Sequence, residues 1–195
     1  MLRHRILHRR TVSLPRDAQG AAVLEFAISL PLLVVFIVGI YDFSGAFNQK
    51  QKIEQAAQEG AIIAGAQPMS DIQTITTTPP GPASLLPAVT AVYNSLVGSG
   101  VLPSGTCSPP GTPLNTAGLA WQYTLSGCPD SLVITINRGA VVNSASPTPT
   151  IVGTSVQVQY PYHWRFNSVI QTLIPGASYA ATTQVTESAT VHNQM

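Results

Sequence analysis

Glu25 is the residue whose position most needs a chemical explanation, because a long apolar run follows it directly. No charged residue occurs in the 16 positions from Phe26 to Tyr41. A carboxylate beside lipid is costly and marks a functional site by default. Gly20 stands five residues before it, at the end of an arginine-rich stretch. Two simpler explanations stay open: Glu25 lies at headgroup depth, or the apolar span begins at Phe26.

The two cysteines, Cys107 and Cys128, are the next residues whose type could support chemistry. If they lie on the exported side of a membrane, we expect them to form a disulfide. Closing that loop would stabilise the fold by roughly 3 kcal/mol in the chain-entropy model. Two free thiols are the alternative. The spacing of the cysteines matches no metal-binding motif, so we expect neither a metal site nor a cofactor.

The sequence contains no recognisable catalytic motif of the hydrolase, P-loop, zinc-protease or CxxC type. His4 and His8 are four residues apart but belong to a basic leader. His163 follows an aromatic strand pattern, and His192 stands near the end of the chain. Catalysis needs a clustered constellation of such groups. The sequence shows none, so we expect no enzyme.

Composition and charge favour a membrane protein. Hydrophobic residues make up 45% of the chain and charged residues only 9%, far below the fraction typical of soluble domains. Five of the nine basic residues precede the apolar run: Arg3, Arg5, Arg9, Arg10 and Arg16. This leader predicts a cytoplasmic N-terminus and an exported C-terminal part. No basic patch occurs elsewhere, which argues against a nucleic-acid partner.

The first third of the chain predicts a leader and one long helix. Residues 1–20 form the basic leader, and the helix is expected over residues 21–66. Its membrane part covers about 21–43, since 21 residues from Ala21 to Tyr41 span roughly 31 Å. Residues 44–66 carry mainly small residues at three-and-four spacing on one face and polar residues on the other, as in an amphipathic, exported helix. Pro31 is expected to kink the span, and Asp42 is interpreted as an interfacial charge or a helix–helix contact.

Residues 67–195 predict an exported α+β domain with an antiparallel sheet. A linker at 73–83 precedes a short helix that begins near Ser84, a possible N-cap, and ends near Gly98. Residues 102–118 are rich in Pro, Gly and Ser and are interpreted as a loop. Strand patterns follow at residues 120–125, 131–139, 155–164 and 178–192. A short helix is expected at 165–176.

The glycine that ends the leader, followed by "AAVLE" and an apolar run, resembles the processing site of type IV prepilins. The matching positions are Gly20, Ala21 and Glu25. The resemblance implies that a membrane-embedded prepilin peptidase cuts between Gly20 and Ala21. It further implies that Glu25 pairs with the new α-amine of the same or a neighbouring subunit. Each charge would then offset the desolvation of the other.

The wider stretch of residues 16–66 resembles the TadE-like family, the pseudopilins of tight-adherence (Flp-type) systems. The resemblance rests on "GAAVLEF", "LPLL", "GIYDFSGAF" and "AAQEGAIIAGA". It implies a pilin-like fold in the bacterial inner membrane and a non-catalytic role in assembling a pilus or secretion machine. The expected partners are membrane lipid, the peptidase and an Flp pilin or another pseudopilin, in a homo- or hetero-oligomer. Small residues suited to close helix packing are Ala27, Gly39, Ala57, Gly60 and Ala64.

A second hypothesis from another class of protein is kept beside the first. The chain could be an uncleaved bitopic membrane protein whose exported domain, periplasmic or extracellular, binds a ligand or surface. Its Thr- and Pro-rich loops fit an exported binding module as well as a pilin. The two hypotheses separate at Gly20, because only the pseudopilin needs the bond after that residue to be cut.

Overall fold

The computed structural model describes residues 16–72, 79–143, 151–166, 171, 176 and 182–194. The long helix expected from the sequence is present as α1, Arg16–Ala66, and it continues through Pro31. The chain forms two compact units, the first ending at Tyr41 and the second beginning at Asp42. The first unit therefore contains the apolar half of α1. The second unit contains the remaining half together with the rest of the fold.

In the first unit, the large apolar side chains of α1 point outward. Val23, Phe26, Ile28 and Ile40 are each about two-thirds exposed, between 66% and 70%. Among the described residues, α1 is the one helix long and apolar enough to cross a membrane, and its most apolar window has no buried residue. A core helix of a soluble protein would bury this surface, whereas a lipid-facing helix leaves it uncovered.

The second unit adds a shorter helix to the C-terminal half of α1. A single 3-10 turn, Ala83–Leu85, leads into α2, Leu86–Gly98. α2 buries one face, made of Ala88, Val89, Val92 and Leu96. The helix ends at Gly98 as predicted, but Ser84 is not its N-cap. Ser84 lies inside the 3-10 turn, Leu85 occupies the N-cap position without a side-chain cap, and a proline follows in the first turn.

The sheet is a five-stranded antiparallel meander, because each strand pairs with its neighbour in sequence. Its strands are β1 Thr112–Ala117, β2 Ala120–Leu125, β3 Leu132–Asn143, β4 Ile151–His163 and β5 Thr182–His192. Trp121 of β2 lies opposite Ile136 of β3, which in turn lies opposite Val156 of β4. Four of the five strands were predicted from alternating apolar and β-branched residues, and the α+β class is confirmed.

β1 corrects the prediction of a loop over residues 102–118. Its sequence, TPLNTA, contains Pro113 and few β-branched residues, so it lacks the usual strand signal. It forms an edge of the sheet, where a proline needs no ladder partner on its outer side. A register shift between Asn115 and Ala117 marks a bulge in its pairing with β2. The predicted linker at 73–83 and helix at 165–176 lie largely outside the described residues and stay predictions.

The core lies between the two helices and one face of the sheet. Val156, Val158 and Tyr160 are buried, whereas the alternating Gln157 and Gln159 are only half-buried. This is the period of two expected for a strand with one covered face. The cover comes from α1 and α2, which contribute fully buried residues including Ile53, Ala57, Val89 and Val92. The second unit is thus a helix layer packed on a sheet.

Candidate functional site

The predicted cleavage site lies within the first turns of α1. Gly20 and Ala21 are helical and exposed, and among the described residues a Cβ on Gly20 would contact nothing beyond its chain neighbours and the backbone of its own helix. Glu25 is also exposed, and its backbone carbonyl accepts a hydrogen bond from the Ser29 hydroxyl at 2.8 Å. Residues 21 and 25 are one helical turn apart, so their side chains share a face of α1.

The five small residues expected to pack against a partner fall into two groups. Ala27 is exposed and Gly39 half-exposed, both on the apolar half of α1. Ala57, Gly60 and Ala64 are instead buried within the second unit. A Cβ on Gly60 would overlap Val92 of α2 and come within 3.3 Å of Val156 of β4. These three small residues therefore let α1 pack closely against the core of its own chain.

Asp42 has a buried role that the sequence interpretation missed. It is 1% exposed, and its carboxylate accepts hydrogen bonds from the backbone N–H groups of Arg165, at 3.3 Å, and Phe166. The Tyr162 hydroxyl donates to its backbone carbonyl at 3.1 Å. Hydrogen bonds to an ionised acceptor are roughly twice as strong as neutral ones. Asp42 thus fixes the chain that leaves β4 to the C-terminal half of α1.

A cluster of aromatic rings surrounds this junction. Trp164 packs edge-on against Phe43, with ring centroids 5.4 Å apart, and edge-on against Tyr162, at 5.1 Å. These distances and the interplanar angles of 66° and 82° are favourable for aromatic pairs. The Gln49 side chain also donates to the carbonyl of Pro161 at 3.0 Å. About two turns of α1, from Asp42 to Gln49, therefore hold the end of β4 through both polar and aromatic contacts.

A second buried polar group lies at the other end of the helix layer. Arg138 of β3 is 1% exposed and donates through a terminal nitrogen to the carbonyl of Gln67 at 2.7 Å. Burial lowers the pKa of Arg138, while the charge of Asp71 opposes that shift. Burial likewise tends to raise the pKa of Asp71, but hydrogen bonds around Ser84 outweigh it and hold that pKa below 3.8. The Ser84 N–H donates to Asp71 at 2.8 Å.

The predicted disulfide between Cys107 and Cys128 is present, with the two Cα atoms 4.7 Å apart. It closes a loop that contains β1. The Tyr93 hydroxyl donates to the carbonyl of Cys107 at 2.6 Å, which ties the loop to α2. Among the described residues, no group of three or more His, Cys, Asp and Glu side chains could hold a metal ion. His163 pairs with Asp130 at 2.8 Å on the surface.

The comparisons with known proteins bear on α1. Residues 20–61 match the family model described as TadE-like protein, which confirms the resemblance expected from the sequence. The matched segment runs from Gly20 through the apolar span and Asp42 to the helix face buried in the second unit. No curated protein and no solved structure matches the chain. The family match points to a role in Tad/Flp pilus systems and to association with a membrane.

Proposed function

We propose that this chain, TadE-like over residues 20–61, is a minor pilin or pseudopilin that supports assembly of a Flp-type pilus or related secretion machine. The observation that carries the proposal is the match itself, on an exposed apolar helix that contains Gly20 and Glu25 near its N-terminal end. Its work would be structural, through helix packing and membrane anchoring. Proteins of the TadE-like, pilus-associated type are in general not enzymes.

The proposed orientation places the N-terminus in the cytoplasm of a bacterium and the second unit outside the inner membrane. The arginine-rich leader supports this orientation, because positive charges stay on the cytoplasmic side. The disulfide between Cys107 and Cys128 supports it independently, because such bonds persist in oxidising compartments. Both observations support an exported location for the α+β domain.

Processing would occur between Gly20 and Ala21, carried out by a prepilin peptidase. The cut would leave a free α-amine on Ala21, one turn before Glu25 on the same helix face. Beside lipid, an amine and a carboxylate each offset the desolvation of the other when they pair. The pair would form within one chain or between the chain and a neighbouring subunit.

The partner in the membrane would be an Flp pilin or another pseudopilin. Ala27 and Gly39 suit this contact, because small residues let two helix backbones approach closely in lipid. Ala57, Gly60 and Ala64 are already buried by this chain's own domain and are therefore left out of the proposed interface.

The intact mass of the membrane-extracted protein tests the processing step. Co-expression with a prepilin peptidase should remove residues 1–20, and Gly20→Val should block the loss. In the part of the chain that the structure describes, a Cβ at Gly20 would meet nothing beyond its chain neighbours and its own helix backbone, so a side chain there has no packed neighbour. An intact N-terminus in the presence of an active, matching peptidase would instead favour the uncleaved bitopic protein with an exported binding domain.

Glu25→Gln tests the role of the carboxylate after cleavage. This change keeps the side-chain shape but removes the charge that would pair with the Ala21 amine. We expect cleavage to proceed and pilus output to fall, measured by mass spectrometry and by the amount of sheared filament. Full filament output by the cleaved Glu25→Gln protein would contradict the proposed pairing.

A further inference from the structure

An open apolar groove of about 410 Å³ lies between α1 and β5 in the second unit. Phe43 and Phe47 form its helix wall, and since they are four residues apart they share one face of α1. They are 66% and 64% exposed, unusually high for rings in a folded domain. Trp164 packs against Phe43 at one end, and Val185 contributes to the opposite wall.

Two pairs of polar side chains around the groove are bonded to each other. The indole N–H of Trp164 donates to the Thr183 hydroxyl at 2.7 Å. The Lys50 ammonium lies 3.5 Å from the carboxylate of Glu187 at the far end. An N–H without a partner in hydrocarbon costs several kcal/mol. Because the Trp164 donor is already satisfied, its ring can leave water without that cost.

The position of the groove along α1 matches a membrane boundary. If Glu25 marks the cytoplasmic edge, a hydrocarbon core of roughly 30 Å ends about 20 residues later, near Gly45. Phe43 and Phe47 lie on either side of that point. Lys50 then follows at headgroup depth, where a lysine is favoured. Trp and Tyr side chains are enriched at this boundary, because each has an apolar ring and a polar N–H or O–H group.

We propose that this groove and its aromatic rim are a lipid-contact surface, which takes acyl chains at the exported boundary of the bilayer. The inference rests on α1 spanning the membrane, as in the proposed function, but needs neither cleavage nor a pilin partner. Lipid covers the two exposed phenylalanines, and the Trp164 ring lies at the level where the acyl chains begin. The contact adds a second point of membrane attachment beside the helix.

The two tryptophans of the chain provide the test and its control. Trp164 lines the groove, whereas Trp121 is 0% exposed in the core. The full chain is reconstituted in phosphatidylcholine vesicles that carry a nitroxide at the headgroup, near the glycerol backbone or near the chain end. The difference in emission between wild type and Trp164→Phe isolates Trp164 without altering the core. The Trp121→Phe variant keeps Trp164 as its single tryptophan and reports its emission directly.

We expect the nitroxide near the glycerol backbone to remove most of the Trp164 emission and to leave the Trp121 emission unchanged. Changing both Phe43 and Phe47 to Ser should reduce the quenching of Trp164. The proposal is overturned if lipid nitroxides quench Trp164 no more than Trp121. Quenching by aqueous iodide alone would show a water-filled groove, and shielding from both quenchers would show a protein occupant; either result also overturns it.

A tryptophan placed within the membrane span distinguishes a failure of the groove proposal from a failure of the proposed function. Phe36→Trp, in a chain with both native tryptophans changed to Phe, reports on the apolar half of α1. Quenching of residue 36 by the nitroxide near the chain end, without quenching of Trp164, would leave the span intact and reject only the groove. Absence of quenching at both positions would reject the span itself.

Discussion

Asp42 shows how one residue can carry a role that its position in the sequence conceals. Its hydrogen-bond donors are 120 to 124 residues away in the chain. A carboxylate just beyond an apolar run is equally typical of a solvated interfacial charge, so local pattern alone could not identify the contact. The cost of burying this carboxylate is offset by several donors, which is the general condition for a buried charge.

Gly45 is the second residue whose role becomes visible only in three dimensions. It lies on α1 facing Tyr162, and a Cβ built on it would stand 2.6 Å from the tyrosine hydroxyl oxygen. Glycine inside a helix normally costs about 1 kcal/mol relative to alanine. The chain accepts this cost because the missing Cβ makes room for the hydroxyl that donates to Asp42.

Gly45→Ala should therefore destabilise the second unit by about 1–3 kcal/mol, since overlap outweighs the gain in helix propensity. The same change in a Tyr162→Phe background should cost less, because the overlapping oxygen is gone. Urea unfolding of the full chain in detergent, run as a double-mutant cycle, measures both. Gly98→Ala is the matched control, because Gly98 is also helical and, among the described residues, its added Cβ would contact nothing beyond its chain neighbours and own helix backbone. Equal costs in both backgrounds would disprove the steric explanation.

At the scale of elements, α1 was predictable as a helix, but what covers each of its faces was not. The small residues at three-and-four spacing define one face of α1. This periodicity indicates that the face is packed, but it does not show whether the packing partner is another helix or the chain's own domain. Ala57, Gly60 and Ala64 therefore fitted a partner helix as well as the domain core in which they lie. β1 escaped prediction for the opposite reason, since TPLNTA carries almost no local strand signal.

The disulfide compensates for the weakness of β1. The bond between Cys107 and Cys128 closes a loop of 21 residues in sequence separation that contains this edge strand. Such closure removes conformations mainly from the unfolded chain. The edge strand is therefore stabilised by this covalent constraint in addition to its hydrogen bonds with β2.

Changing both Cys107 and Cys128 to Ser should lower the free energy of unfolding by about 3 kcal/mol. Wild-type protein with a reductant should show the same decrease, measured by denaturant unfolding of the full chain. The double variant should not respond to the reductant and so provides the control. Wild-type stability that stays the same with and without reductant would contradict the role given to this bond.

At the scale of the whole molecule, the two halves of α1 follow different rules. Residues 20–41 leave their apolar side chains uncovered, whereas residues beyond Asp42 supply core positions such as Ile53 and Ala57. Charge depletion and length were enough to predict the first half. The polar interior could not be predicted, because Arg138 and Asp71 look like ordinary surface charges until the topology brings them near each other.

The half-buried carboxylate of Asp71 makes the stability of the second unit depend on pH. Asp71 has a pKa below 3.8, because its hydrogen bonds around Ser84 outweigh the effect of burial. A carboxylate with a lowered pKa in the folded state stabilises the fold above its unfolded pKa. That stabilisation is lost as the pH falls through the lower, folded pKa. The loss also leaves the buried Arg138 without the opposing charge of Asp71.

Wild-type protein should therefore keep its stability down to about pH 4 and lose it below. Asp71→Asn should be less stable than wild type at pH 7, because Arg138 loses its charged neighbour. As the pH falls below about 4, the free energy of unfolding of this variant should decrease less than that of wild type. Urea unfolding of the full chain in detergent between pH 7 and pH 3 measures both curves. Glu54→Gln changes an exposed carboxylate on α1 and should follow wild type. Parallel curves for wild type and Asp71→Asn would show that other groups govern the acid transition.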